Sequence, residues 1–181
     1  GWVCAIPPRG GWIPAFIAGN TGIGLSQRMQ SFLLTESMNP FNVVHPGQRP
    51  RATLTPSIAL KDGKPLMAFS VQGGDTQDQN LLQFFLNMIE FDMNVQQAAE
   101  AHNITSYQMQ SSFGAHTAEP GRLEVGSKLP EWVQVELGRM GYTVEAVDRT
   151  YSHITAIYFE AETGTMWGGS SDYVEEYGIA G

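Results

Sequence analysis

The residue pattern predicts an α+β fold, and three observations carry that prediction. A hairpin signal stands mid-chain: the runs Ser57-Ile-Ala-Leu60 and Leu66-Met-Ala-Phe-Ser-Val71 flank the turn Lys61-Asp-Gly-Lys64. An amphipathic helix pattern follows it almost at once. Further strands and helices then succeed one another without the regular strand–helix–strand alternation of a parallel α/β sheet.

Each element has a local cause. Asp62-Gly63 between apolar runs marks a tight hairpin, because glycine accepts the positive φ that such a turn demands. Before it, Ser37 to Pro56 holds four prolines and few periodic apolar positions, and reads as an extended loop. After it, Leu81, Leu82, Phe85, Met88 and Ile89 recur at three- and four-residue steps, giving a helix with one apolar face. Thr76 and Gln79 have the spacing of a capping box at its start. Asn94 caps a second, shorter helix through Gln97 and Ala101. Pro130 to Met140 forms a third, closed by Gly141. Strands are expected at Thr143 to Val147 and at Ile154 to Glu160. The latter pairs with Thr165 to Trp167 across Glu162-Thr-Gly164.

Composition narrows the function classes. The 181 residues are expected to form one domain, residues 1–181, and at 42% hydrophobic and 15% charged they can bury a core. Ten Lys plus Arg against 18 Asp plus Glu give a net charge of -8, which argues against a nucleic-acid partner. No apolar run approaches the ~18 residues of a membrane span. Cys4 is the single cysteine, which excludes an internal disulfide; its apolar surroundings predict a buried, inert thiol. His45, His102, His116 and His153 show no metal-ligand spacing, so no metal or cofactor is expected.

The most informative local feature is Gly73-Gly74, placed between a strand and a helix. Two glycines let backbone amides approach a ligand closely, and a helix start adds partial positive charge. Such a turn suits an oxyanion hole; it equally describes a tight turn with no ligand. Arg28 follows the glycine-rich stretch Gly19 to Gly24, where a guanidinium could meet a carboxylate, although a surface arginine is the default. Arg49 and Arg51, on either side of Pro50, read as loop anchors. No Ser, Thr or Cys has a nucleophile's setting.

Several runs then come in a fixed order: Pro46-Gly-Gln-Arg-Pro50, Thr53-Leu-Thr-Pro-Ser57, Leu60-Lys-Asp-Gly-Lys-Pro65, Gly73-Gly74, Leu82-Gln-Phe-Phe-Leu-Asn87 and Phe91-Asp-Met-Asn94. With Glu119-Pro-Gly-Arg-Leu-Glu124 and the closing Gly164 to Gly181 stretch, this order resembles the small, C-terminal subunit of the γ-glutamyltranspeptidase family. The resemblance implies part of an N-terminal-nucleophile hydrolase, an αββα four-layer sandwich cut from a precursor that cleaves itself. It implies that an N-terminal threonine attacks a γ-glutamyl amide and passes the acyl group to water or an amine. It gives Gly73 and Gly74 the oxyanion role and makes the large subunit of the same precursor the expected partner.

The chain also departs from the family's pattern. Where characterised members have Asn-Gln-Met-Asp-Asp-Phe, this sequence has Gln27-Arg28-Met29-Gln30-Ser31-Phe32, so Ser31 replaces the acid expected to hold a substrate ammonium. Ala52-Thr53 stands for a serine pair, and Arg9 falls near residues that flank the nucleophile. Arg28, Ser31, Ala52, Thr53 and Arg9 are therefore the expected substrate-binding set. Losing a carboxylate and gaining an arginine suits an acyl group with a negative charge and no amine, such as glutaryl. The alternatives are thus a glutaryl- or cephalosporin-acylase-like amidohydrolase, or a non-catalytic scaffold. The abrupt, strand-like start at Gly1 is expected to lie just past the nucleophile, leaving half of a shared core with exposed apolar surface.

Overall fold

The computed structural model describes residues 3–6, 16–150 and 153–172. Its regular elements are β1 (Ser57–Lys61), β2 (Lys64–Val71), α1 (Gln77–Ile89), α2 (Val95–Glu100), β3 (Ile104–Ser106), β4 (Arg122–Gly126), α3 (Glu131–Arg139), β5 (Thr143–Val147), β6 (Ile154–Phe159) and β7 (Met166–Ser170). A short 3₁₀ turn precedes them at Arg28–Ser31, and another leads into α1 at Gly74–Thr76. None of the described helices is long and apolar enough to cross a membrane.

Two sheets result. The larger has the order β1-β2-β6-β7 and is antiparallel throughout; the smaller has the order β3-β4-β5, with β4 and β5 parallel. The expected hairpin is β1–β2, with positive φ at both Asp62 and Gly63. Alternation along β2 sends Met67, Phe69 and Val71 to one face, where they meet Leu81 and Phe84 of α1 and Val95, Ala98 and Ala99 of α2. Phe69 sits between Phe84 and Phe85 at ring-centroid distances of 5.8 and 5.9 Å. At β7, a Cβ on Gly169 would stand 2.7 Å from Val95 Cγ2, so α2 can lie this close only over glycine.

The opposite face of the larger sheet is uncovered. Leu60 and Met166 are each 63% exposed, and Ile58 and Ile157 about half exposed. Among the described residues, α1 and α2 therefore cover one face of the larger sheet, and apolar side chains on its other face are exposed.

Three local expectations are corrected. Thr76 and Gln79 form no capping box, because the 3₁₀ turn has already brought Thr76 to helical dihedrals (φ −92, ψ −2). Its hydroxyl instead donates back to the Gly73 carbonyl at 2.8 Å. Cys4 is exposed, not buried. The strands β3 and β4 lack any strong sequence signal and were not expected. The Asn94 cap does form, with Gln97 returning the hydrogen bond to the Asn94 N–H.

The two sheets are joined through α1. Gln79 receives the Ser106 N–H on its side-chain oxygen at 2.8 Å and donates to the Ser106 carbonyl at 3.0 Å. One turn later Gln83 does the same to Ile104, at 2.8 Å in both directions. Primary amides thus imitate a neighbouring strand along the edge of β3 that β4 does not use.

Candidate active site

The chain turns sharply where β2 gives way to α1. Gly73 (φ 146, ψ 35) and Gly74 (φ 56) both lie in positive-φ space, which a side chain would strain. The Gly73 carbonyl accepts from the Thr76 N–H at 3.2 Å as well as from the Thr76 hydroxyl. Thr76 Oγ1 in turn accepts from Asn80 Nδ2 at 3.3 Å, and Asn80 Oδ1 accepts from Asn103. These bonds fix the plane of the peptide joining the glycines. Since that peptide is trans, the Gly74 N–H points opposite to the pinned carbonyl, away from the first turn of α1. Among the described residues, neither the Gly73 nor the Gly74 N–H donates to a protein acceptor.

A polar clamp holds this turn from the other side. Asp75 accepts from the Ser112 N–H at 2.6 Å, from the Ser112 hydroxyl, and from Arg51 Nη2 at 3.4 Å; Arg51 also donates to Ser112 Oγ. Arg51 is thus a loop anchor, as expected. Phe113 follows Ser112 and lies against Gly74: a Cβ there would be 3.0 Å from Phe113 Cε2. The expected sequence features did not include Asp75, Ser112 or Phe113. Their only local signal is that Asp75 adjoins Gly73-Gly74.

Arg28 departs from the surface default. It is only 7% exposed, its guanidinium carbon lies 5.7 Å from the centre of the Phe113 ring, and its Nε is buried without a hydrogen-bond partner. Ser31, 1% exposed, turns its hydroxyl to the Arg28 carbonyl at 2.8 Å and to the Arg51 carbonyl at 3.3 Å. It stitches the 3₁₀ turn to the loop that carries Ala52 and Thr53. Ala52 is exposed, whereas Thr53 Oγ1 is a second buried polar atom without a partner. Arg9 lies outside the described residues. The structure therefore brings Gly74, Phe113 and Arg28 together, and Ser31 ties the Arg28 turn to the Arg51 backbone; among the described residues it shows no contact of Ala52 or Thr53 with them.

Other charged groups are satisfied among themselves. Arg122 lies over the Tyr107 ring at 4.3 Å and bonds Glu124, Glu145 and Glu119, and Tyr107 donates to Glu124 at 2.7 Å. Burial, then the bond to Glu124, raises the Tyr107 hydroxyl well above its ordinary range. Among the described residues no group of three or more His, Cys, Asp or Glu is placed to hold a metal ion.

The chain is similar to known proteins of one family. The family described as gamma-glutamyltranspeptidase matches residues 14–181. The glutathione hydrolase proenzyme of Bacillus subtilis subsp. natto is 31% identical over 135 residues, which are 72% of this chain and 21% of that protein. A cephalosporin acylase from Bacillus halodurans superposes with a TM-score of 0.69 at 26% identity, covering 83% of this chain and 26% of the other. A gamma-glutamyltranspeptidase from Pseudomonas nitroreducens, complexed with L-DON, superposes with a TM-score of 0.71, covering 91% and 85%; at 20% identity that likeness shows the fold alone. The α+β architecture is that of these structures. The chain spans about a fifth or less of the length of the curated relatives it matches.

Proposed function

Because the chain belongs to the gamma-glutamyltranspeptidase family, we propose that it supplies the oxyanion side of an amide-cleaving acyltransferase or hydrolase. A threonine from a preceding segment of the whole protein attacks the carbonyl carbon of a γ-glutamyl or related amide. As the new C–O bond forms, the carbonyl oxygen takes up negative charge, and the N–H groups of Gly73 and Gly74 receive it. The threonine's proton passes through its α-amine to the departing amine, the C–N bond breaks, and an ester-linked acyl-enzyme remains. Water or a second amine then takes the acyl group.

One observation supports this reading above the rest. The Gly73 carbonyl is pinned by Thr76, so the Gly74 N–H is aimed before any substrate arrives. Preorganised donors of this kind reduce the barrier without reorganising during the reaction. The relatives' description as proenzymes fits a precursor that is cut in two. The uncovered face with Ile58, Leu60, Ile157 and Met166 fits a second subunit packed on the larger sheet.

The test uses the full-length, processed protein. Hydrolysis of acyl 4-nitroanilides, and a covalent adduct with an electrophilic glutamine analogue seen by intact mass, are the expected results. Replacing the new N-terminal threonine by alanine abolishes both. Full activity after that replacement defeats the mechanism.

A further inference from the structure

We propose that Asn80 is a positioning residue for the acyl-transfer step: through the Thr76 hydroxyl it sets the peptide whose N–H meets the developing oxyanion. The inference rests on the acyl-transfer reading above and adds to it a residue that acts from inside the core.

Asn80 shares the buried face of α1 with Leu81 and Phe84, where an apolar side chain is the ordinary choice. It is instead a primary amide only 1% exposed. A buried amide is unfavourable unless its polar atoms are met, so its partners show what it is for.

The polarity of those bonds follows from counting hydrogens. The Thr76 hydroxyl has a single hydrogen, and it goes to the Gly73 carbonyl at 2.8 Å, which can only accept. Thr76 Oγ1 must then accept its other bond, and Asn80 Nδ2 supplies it at 3.3 Å. With its nitrogen turned to Thr76, Asn80 presents Oδ1 to Asn103, and Asn103 Nδ2 donates to it. Asn103 is also buried, and Thr150 holds its backbone. The Asn103 N–H donates to Thr150 Oγ1 at 3.1 Å, and the Asn103 carbonyl accepts from the Thr150 hydroxyl at 2.7 Å.

A one-way chain of hydrogen bonds thus runs from the anchored Asn103 through Asn80 and Thr76 to the Gly73 carbonyl. Reversing the Asn80 amide would set its oxygen against Thr76 and draw the hydroxyl hydrogen away from that carbonyl. The Gly73 carbonyl and the Gly74 N–H belong to one planar peptide, so whatever holds the first aims the second. The Thr76 N–H also reaches the carbonyl, at 3.2 Å. Losing the chain therefore loosens the peptide without releasing it, and the expected effect on rate is partial.

Asn80→Asp is nearly isosteric and tests this polarity: a carboxylate only accepts, and it takes the Thr76 hydroxyl hydrogen for itself. The full-length processed enzyme and the variant are compared on γ-glutamyl and glutaryl 4-nitroanilides. Acylation and deacylation both pass through an oxyanion, so kcat should fall about 10–30-fold whichever step limits, with KM changed by less than about 3-fold. Thr76→Val should reproduce that loss, and Thr76→Ser, which keeps the hydroxyl, should spare most of it. On top of Thr76→Val, Asn80→Asp should add less than about 2-fold, because the group it acts through is gone. Thermal unfolding shows which variants are folded. An undiminished kcat in Asn80→Asp, or in Thr76→Val should Asn80→Asp not fold, overturns the proposal and leaves acyl transfer in place. Losses that multiply in the double variant make Asn80 merely structural and overturn it as well. No turnover of either anilide by the wild type, with no covalent adduct, overturns the acyl-transfer reading and the proposal with it.

Discussion

Asp75 receives the Ser112 backbone N–H at 2.6 Å, across 37 positions of sequence. The acceptor adjoins the Gly73-Gly74 turn and the donor adjoins Phe113, whose ring lies against Gly74. One carboxylate therefore holds both walls of the candidate site. Asp75→Ala leaves the Ser112 N–H unpaired and frees Phe113. A stability loss of about 2 kcal/mol is expected, since bonds to a charged acceptor contribute ~1.5–3 kcal/mol. Urea unfolding measures it, and a fall of at least 10-fold in kcat should accompany it. Arg51→Ala should matter less, because the Arg51 side chain is half exposed and its ion pair is screened.

Gly74→Ala tests the turn itself. At φ 56 a Cβ is strained, and at 3.0 Å from Phe113 it also displaces the ring. The substitution should destabilise by about 1–3 kcal/mol. If the Gly74 N–H meets the oxyanion, kcat falls about 100-fold or more while KM changes little. Steady-state kinetics on an acyl anilide separates the two quantities.

The glutamine pair on α1 makes a different prediction. Gln79→Leu and Gln83→Leu each remove two hydrogen bonds from β3 and leave a strand N–H and carbonyl without their partners. Each should cost about 1–3 kcal/mol. Native-state hydrogen exchange should quicken first at the Ser106 amide in the former and at the Ile104 amide in the latter.

His102 gives the pH dependence. Burial, reinforced by Lys128, lowers its pKa below the ordinary 6.5. The folded state thus disfavours the imidazolium more than the unfolded chain does. Above about pH 6.5 both states hold His102 neutral and it exacts no penalty; as pH falls through 6.5 the unfolded chain binds the proton first, and stability drops until the folded pKa is passed. Denaturant midpoints between pH 7.5 and 5 should fall, and His102→Asn should flatten that decline.

The sequence was most legible where structure is local. Asp62-Gly63 fixed the hairpin, the spacing of Leu81, Leu82, Phe85, Met88 and Ile89 marked α1, although Leu82 is exposed and Phe84 is buried in the core, and Asn94 with Gln97 capped α2. What escaped it depends on distant partners. The strand Ile104–Ser106 is three residues long, and side chains from α1 complete one edge of it. Arg28 looked like a surface residue because its glycine-rich neighbours give no sign of Phe113, which lies 85 positions away. The order of short runs pointed to the family, but it could not show that Asp75 ties the turn to Ser112.

The glutamine clamp has a mechanical meaning. The thirteen residues of α1 start at the candidate oxyanion turn, and their side chains grip an edge of the other sheet. The helix therefore links the Gly73-Gly74 turn at its start to the free edge of β3. A rotation of the smaller sheet is thus expected to act through Gln79 and Gln83 on the start of α1, and so on the turn that Thr76 holds. On the proposed oxyanion reading, stiffness in that linkage would hold the Gly74 N–H in place, and slack in it would loosen that donor from a distance.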